Sequence, residues 1–162
     1  MKFFLDLEFI EDGKTIDPLS IALVSDDDRE VYIVNESADR TKASPWVLEN
    51  VIPHLDKGLA DFSVRQPRET IPVLIKAFVG HDPKPEFWGY YADYDWVAFC
   101  QLFGTMMDLP KGFPMYCRDI KQLCDQLGNP ALPAQGKGEH HALLDARWNK
   151  QAYEFLINLS EK

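Results

Sequence analysis

The sequence predicts an α/β domain built on a mixed sheet of about five strands, an antiparallel meander followed by parallel strands, with helices flanking it. Three observations carry this expectation. Apolar, partly β-branched segments at 2–9, 16–24 and 30–34 are joined by short polar links, one of them an Asp12-Gly13 turn. Beyond residue 44, amphipathic helical stretches alternate with short apolar runs. The chain has 162 residues, 46% of them hydrophobic, which suits a single domain over 1–162 with a substantial core.

The first strand is Lys2-Phe3-Phe4-Leu5-Asp6-Leu7-Glu8-Phe9, apolar except for Asp6 and Glu8. A second spans Ile16 to Val24 and a third Glu30 to Val34, with Asp26-Asp27-Asp28 as a solvated hairpin turn between them. Ser44 is a good N-cap and Pro45 is tolerated at the first helical position, so a helix with Trp46, Val47, Val51 and Ile52 starts there. The stretch 53–67 is poorly patterned and reads as loop. Arg68 to Val79 reads as a helix with Pro72 near its start, where proline costs least. Glu86 to Tyr91 is a buried strand, Val97 to Met107 a helix, and Met115-Tyr116-Cys117 a short strand. Asp119 caps the next helix, which runs through Leu127 with Gln122 at capping-box spacing. The Gly- and Pro-rich segment 128–139 has no periodicity. The last helix starts near His141 and ends about Leu159, with Leu144, Trp148, Phe155 and Leu159 on its core face.

Charge and cysteine usage narrow the function. Basic residues number 17 and acidic residues 26, a net −9. Such a field does not steer the protein to nucleic acid, which argues against a coating or non-specific binding module. It leaves room for an enzyme that meets phosphates through bound metal ions. Cys100, Cys117 and Cys124 form no CxxC pair and leave an odd count, so reduced core thiols in a cytoplasmic setting are expected. Asp6 and Glu8 break the one apolar run near the N-terminus that would serve a signal peptide. No apolar run approaches the ~20 residues that span a bilayer.

Side chains at i and i+2 of a strand share a face, so Asp6 and Glu8 converge on one spot. Two carboxylates in an apolar element repel and are costly to desolvate unless a cation lies between them. A hard divalent ion with oxygen ligands is the simplest such cation. The plainer reading is an edge strand with both acids in water. Asp95 follows a buried strand near a helix start, and Asp145 lies in the first turns of the last helix, after His140 and His141. Each has its own plain reading: Asp95 a first-turn acid favoured by the helix dipole, Asp145 a solvated surface acid, His140 a loop residue. Jointly they are harder to dismiss, because each acid sits at the end of an element expected to reach the sheet.

These residues resemble the three motifs of the DEDDh exonucleases, members of the ribonuclease H-like superfamily. Asp6-Leu7-Glu8 matches the first, Tyr94-Asp95 the second, and His140-His141-Ala142-Leu143-Leu144-Asp145 the third. A narrower resemblance, to the small bacterial exoribonucleases called ribonuclease AS, rests on residues 6–13, on Ile16-Asp17-Pro18-Leu19-Ser20-Ile21 and on Cys100-Gln101-Leu102. The resemblance implies a ribonuclease H-like fold and a homodimeric 3′–5′ exoribonuclease that prefers adenylate tails. It also implies two Mg²⁺ ions, replaceable by Mn²⁺, held by Asp6, Glu8, Asp95 and Asp145, with Asp6 shared between them. Where many of the wider superfamily have His-Asn, this chain has Tyr90-Tyr91.

On a helix His141 would share a face with Asp145, but the family spacing selects His140 as the base that deprotonates water. An imidazole suits that task because its ordinary pKa is ~6.5. His140 follows Gly136-Lys137-Gly138, a segment expected to let it swing over bound substrate. Phe9 and Ile10 are candidate substrate contacts, since a stacked base is worth ~1–3 kcal/mol, although continuation of the core is the preferred reading for Ile10. Lys137 and Arg118 are candidate phosphate contacts with surface solvation as the default, and Trp88, Trp96 and Trp148 read as core. Alternatives are a proofreading-type DNA exonuclease, since 2′-hydroxyl recognition has no short signature, and a non-catalytic ribonuclease H-like interaction module.

Overall fold

The computed structural model describes residues 1–55, 63–136 and 138–161. β1 (Lys2–Glu11), β2 (Ile16–Ser25) and β3 (Glu30–Asn35) form the antiparallel meander. β4 (Ser63–Gln66) joins parallel to β3, β5 (Glu86–Gly89) parallel to β1, and β6 (Arg118–Asp119) parallel to β5. The sheet order is β4-β3-β2-β1-β5-β6, so β1 lies between an antiparallel and a parallel neighbour. The helices are α1 (Pro45–Asn50), α2 (Ile52–Leu55), α3 (Ile71–Val79), α4 (Asp93–Phe103), α5 (Ile120–Gln126) and α6 (Ala142–Ser160). No helix among the described residues is long and apolar enough to cross a membrane.

Strand alternation sorts β1 between two layers. Phe3, Leu5 and Leu7 pack with Ile21, Leu23, Ile71, Ile75, Ala98 and Phe99, which places α3 and α4 on one face. Phe4 packs with Ala22, Val24, Ile120, Leu143, Ala146 and Leu156, which places α5 and α6 on the other. Covering both faces is why β1 reads as a nearly continuous apolar run. A smaller cluster of Ile10, Leu19, Val47, Val51 and Leu55 seats α1 and α2 over the far end of β1 and β2.

The mixed α/β architecture matches the sequence expectation, and the differences have physical causes. The sheet has six strands, because the stretch expected to be loop supplies β4. Ser-Val-Arg-Gln has no strand-like alternation of its own and is held by backbone pairing with residues 32–35 of β3. The expected strand at Met115–Cys117 falls slightly later, as β6, where Arg118 and Asp119 pair with Trp88 and Gly89. α4 starts at Asp93, earlier than periodicity suggested, and stops at Gly104, whose φ of 124° suits glycine. The first turn expected of the helix at Arg68 is 3-10, with α3 proper from Ile71. Asp119 is the α5 N-cap as expected, accepting from Gln122 N at 3.0 Å, and its other oxygen accepts from Ala92 N at 2.8 Å, tying α5 to the start of α4.

Candidate active site

The β1–β5 ladder ends at the Phe4/Trp88 pair, whereas β1 continues to Glu11. Past that pair, side chains replace the missing strand. The Leu5 carbonyl accepts from Asn149 Nδ2 of α6 at 2.9 Å, and Leu7 N donates to Asp95 Oδ1 of α4 at 2.7 Å. The opening lies at the carboxyl end of two parallel strands, the position where α/β sheets hold ligands. Gly89 closes β5 here; a Cβ on it would lie 2.7 Å from Ala92 Cβ, so its lack of a side chain lets the chain turn at once into α4.

Asp6 and Glu8 point from β1 toward α6, and Asp145 meets them from that helix. A carboxylate oxygen from each lies within 4.8 Å of the others. Asp6, Glu8, Asp95, His140 and Asp145 all line one hollow of about 350 Å³, together with Phe9, Trp46, Val47 and Val51. Asp145 is 9% exposed and well held: His140 N and His141 N donate to Oδ2 at 2.9 and 3.2 Å, and Gln135 Nε2 donates to Oδ1.

Electrostatics make this crowd of acids costly. Burial, then the charges of Asp95, Glu8 and Asp145, hold Asp6 well above the usual carboxylate range. Burial and the charges of Asp145 and Asp95 push Glu8 up to about 8. Burial raises Asp95 to about 7 in spite of the Leu7 N–H, and raises Asp145 against the hydrogen bonds it accepts. No lysine or arginine lines the hollow among the described residues. An all-oxygen, like-charged donor set without a protein cation fits hard divalent ions, and this cluster could hold one.

The two histidines part company. His140, in a left-handed conformation with φ 68°, borders the hollow. His141 is 5% exposed and caps α6, its Nδ1 accepting from Leu143 N at 3.3 Å. Its ring packs on Tyr32, with centroids 4.6 Å apart. Burial lowers its pKa.

The chain is 38% identical over 163 aligned positions to the 3′–5′ exoribonuclease Rv2179c of Mycobacterium tuberculosis (strain H37Rv), covering 99% of this chain and 96% of that protein. The 3′–5′ exoribonuclease MT2234.1 of strain CDC 1551 / Oshkosh matches with the same identity and coverage. The chain belongs to this family of 3′–5′ exoribonucleases. No family model matches it.

In this exoribonuclease-family chain Phe9 borders the hollow and stacks on exposed Tyr94, centroids 6.1 Å apart. Ile10 is 5% exposed among Leu19, Val47, Val51 and Leu55, so this candidate substrate contact packs in the core, the reading the sequence preferred for it. Arg118 lies away from the hollow, against Trp88, Tyr116 and Glu86. Lys137 lies outside the described residues. Trp96 is core, and Trp88 and Trp148 pack partly buried beside α5 and α6.

Sequence reasoning missed Trp46, Gln135 and Asn149. Asn149 had a signal: it is one helical turn beyond Asp145 and so shares its face. Gln135 lies in an unperiodic segment and Trp46 in an ordinary amphipathic helix, and neither stands out in the sequence.

Proposed function

We propose that this protein shortens RNA from the 3′ end one nucleotide at a time and releases nucleoside 5′-monophosphates, as a DEDDh enzyme of ribonuclease H-like fold. The observation that carries the reading is the meeting of Asp6, Glu8 and Asp145 within 4.8 Å in one hollow with Asp95 and His140, in a chain related throughout to named 3′–5′ exoribonucleases.

Asp6, Glu8, Asp95 and Asp145 would hold two Mg²⁺ ions, with Mn²⁺ able to replace them. When bound, such ions supply Lewis acidity, easing the deprotonation of water and relieving charge on the leaving oxygen. The protein's own contribution is order. Gln135 fixes Asp145, the Leu7 amide fixes Asp95, and Asn149 ties the β1 backbone beside Asp6 to α6, so little reorganisation is needed as charge develops. His140 takes the proton as water oxygen bonds to phosphorus and the P–O3′ bond breaks; the departing O3′ oxyanion takes a proton from solvent, leaving a shortened RNA with a free 3′-hydroxyl, and His140 returns its own proton to solvent. Phe9 offers a ring face to the terminal base, and its stack on Tyr94 limits where that base can lie. Action on single-stranded RNA with a preference for adenylate tails, assembly as a homodimer and a cytoplasmic location belong to the same proposal.

The test uses 5′-labelled RNA and DNA of equal sequence, with Mg²⁺ or with EDTA, and compares His140→Ala with His141→Ala. The expected result is metal-dependent shortening of RNA by single nucleotides, with most of the rate lost only in His140→Ala. Cleavage that persists in EDTA, or equal attack on DNA, would refute it. A-tailed and mixed-tail RNAs compared in the same assay test the adenylate preference, and light scattering the dimer.

A further inference from the structure

Trp46 occupies an unusual position for a large apolar side chain. It lies in the first turn of α1, whose cap Ser44 accepts from Val47 N at 3.3 Å. Val47 and Val51 anchor that segment in the cluster with Ile10 and Leu19. Trp46 itself is 52% exposed, and it borders the hollow that holds the acids. Its ring meets the His140 ring edge-on, with centroids 4.8 Å apart and planes at 80°.

The backbone of His140 is fixed by its N–H to Asp145 and by a left-handed φ of 68°. Its side chain has no comparable restraint: among the described residues no hydrogen bond reaches the imidazole, and Trp46 is its aromatic neighbour. An imidazole that can rotate about two side-chain torsions reaches a water in the hollow in only some rotamers. Edge-to-face packing against a helix-anchored indole selects among them.

We propose that Trp46 is a positioning residue for His140: the indole sets the direction in which the imidazole faces the hollow. This rests on the reading of His140 as the general base. Trp46 acts through His140 and contributes to the proton-transfer step, whereas Phe9 and Tyr94 serve the base of the substrate. Misplacing a reacting group by about 1 Å can cost on the order of a hundredfold in rate, so loss of the indole should be felt mainly in kcat.

The experiment compares wild type, Trp46→Ala, Trp46→Phe, His140→Ala and the double variant on a labelled RNA in Mg²⁺. Expected are a kcat lowered roughly tenfold or more in Trp46→Ala with KM changed less than about twofold, and recovery of most of the loss in Trp46→Phe. Adding Trp46→Ala to His140→Ala should cost nothing further, since both act at one step. In the intact protein the His140 ring proton resonances should shift or broaden in Trp46→Ala, a readout independent of turnover. A raised KM with unchanged kcat would make Trp46 a substrate contact and overturn the proposal, as would a full additional loss in the double variant. If His140→Ala is slow while Trp46→Ala keeps wild-type kcat, only the positioning role fails. If His140→Ala is as fast as wild type, the base assignment fails and the positioning role falls with it.

Discussion

Asn149 donates its side-chain amide to the Leu5 carbonyl at 2.9 Å, one residue before Asp6 and one helical turn after Asp145. A single hydrogen bond therefore ties the strand that carries two of the acids to the helix that carries a third. Asn149 is 1% exposed, so no water replaces the bond if it is lost.

Asn149→Leu keeps the branched shape of the side chain and orphans the Leu5 carbonyl. Leaving a buried acceptor unpaired costs about 1–3 kcal/mol. We expect that loss in urea unfolding, together with a fall in activity larger than the fraction of unfolded protein explains, because the Asp6–Asp145 spacing relaxes. A stability loss with full specific activity would show that Asn149 serves folding alone.

The acid cluster makes stability depend on pH in an unusual direction. Glu8 titrates at about 8 and Asp95 at about 7 in the folded chain, against 4.5 and 3.8 ordinarily. Folded protein thus holds protons that unfolded protein releases, and the contribution is full below the ordinary carboxylate range and lost as pH rises through about 7 to 8. In EDTA the melting temperature should fall between about pH 5 and about pH 9. On the proposed metal binding, Mg²⁺ or Mn²⁺ would take the deprotonated acids, so the gain in melting temperature on adding metal should be largest at the alkaline end. A metal-induced shift that is absent in Asp6→Asn and present in wild type would place the ion at this cluster.

His141→Asn should preserve most of the activity. Asn is a good N-cap and can accept from Leu143 N as the imidazole does. The expected cost is in stability, since the packing on Tyr32 is lost. Steady-state rates on RNA check this, and a near-complete loss of kcat would reopen the choice between the two histidines.

Lys150 is a buried cation with a structural task. Its Nζ donates to the Ser25 and Asp26 carbonyls at 3.1 and 3.2 Å and to Asp28 Oδ1 at 2.6 Å, locking the β2–β3 turn to α6. Lys150→Met keeps the stem and removes all three bonds. We expect a loss of about 2 kcal/mol or more in chemical denaturation with little change in kcat, because the turn lies beyond Ser25 and lines no part of the hollow.

The sequence was most legible where local pattern and tertiary role coincide. Asp6 and Glu8 stood out because an apolar strand with same-face acids is anomalous, and Asp119 because its capping bond is local. The two histidines could be ranked only by spacing, since nothing in the order His140-His141 says which ring enters the core. The pairing of β4 with β3 was hidden because Ser63–Gln66 becomes a strand only through a partner about thirty residues away. Ile10 and Phe9 are adjacent and similar in character, yet one packs beneath α1 and the other against Tyr94 at the border of the hollow, where the β1–β2 register shifts after Glu8.

The bond from Leu7 N to Asp95 Oδ1 joins residues 88 apart in the chain and replaces a rung of the sheet with a carboxylate. One backbone amide proton is thereby bound to a group that would also hold metal. Its exchange with solvent deuterium then measures how firmly α4 is seated against β1, without any substrate present. Slow exchange at Leu7 that quickens in Asp95→Ala, while the Phe3 and Leu5 amides stay protected, would report the local loosening of this corner as distinct from global unfolding.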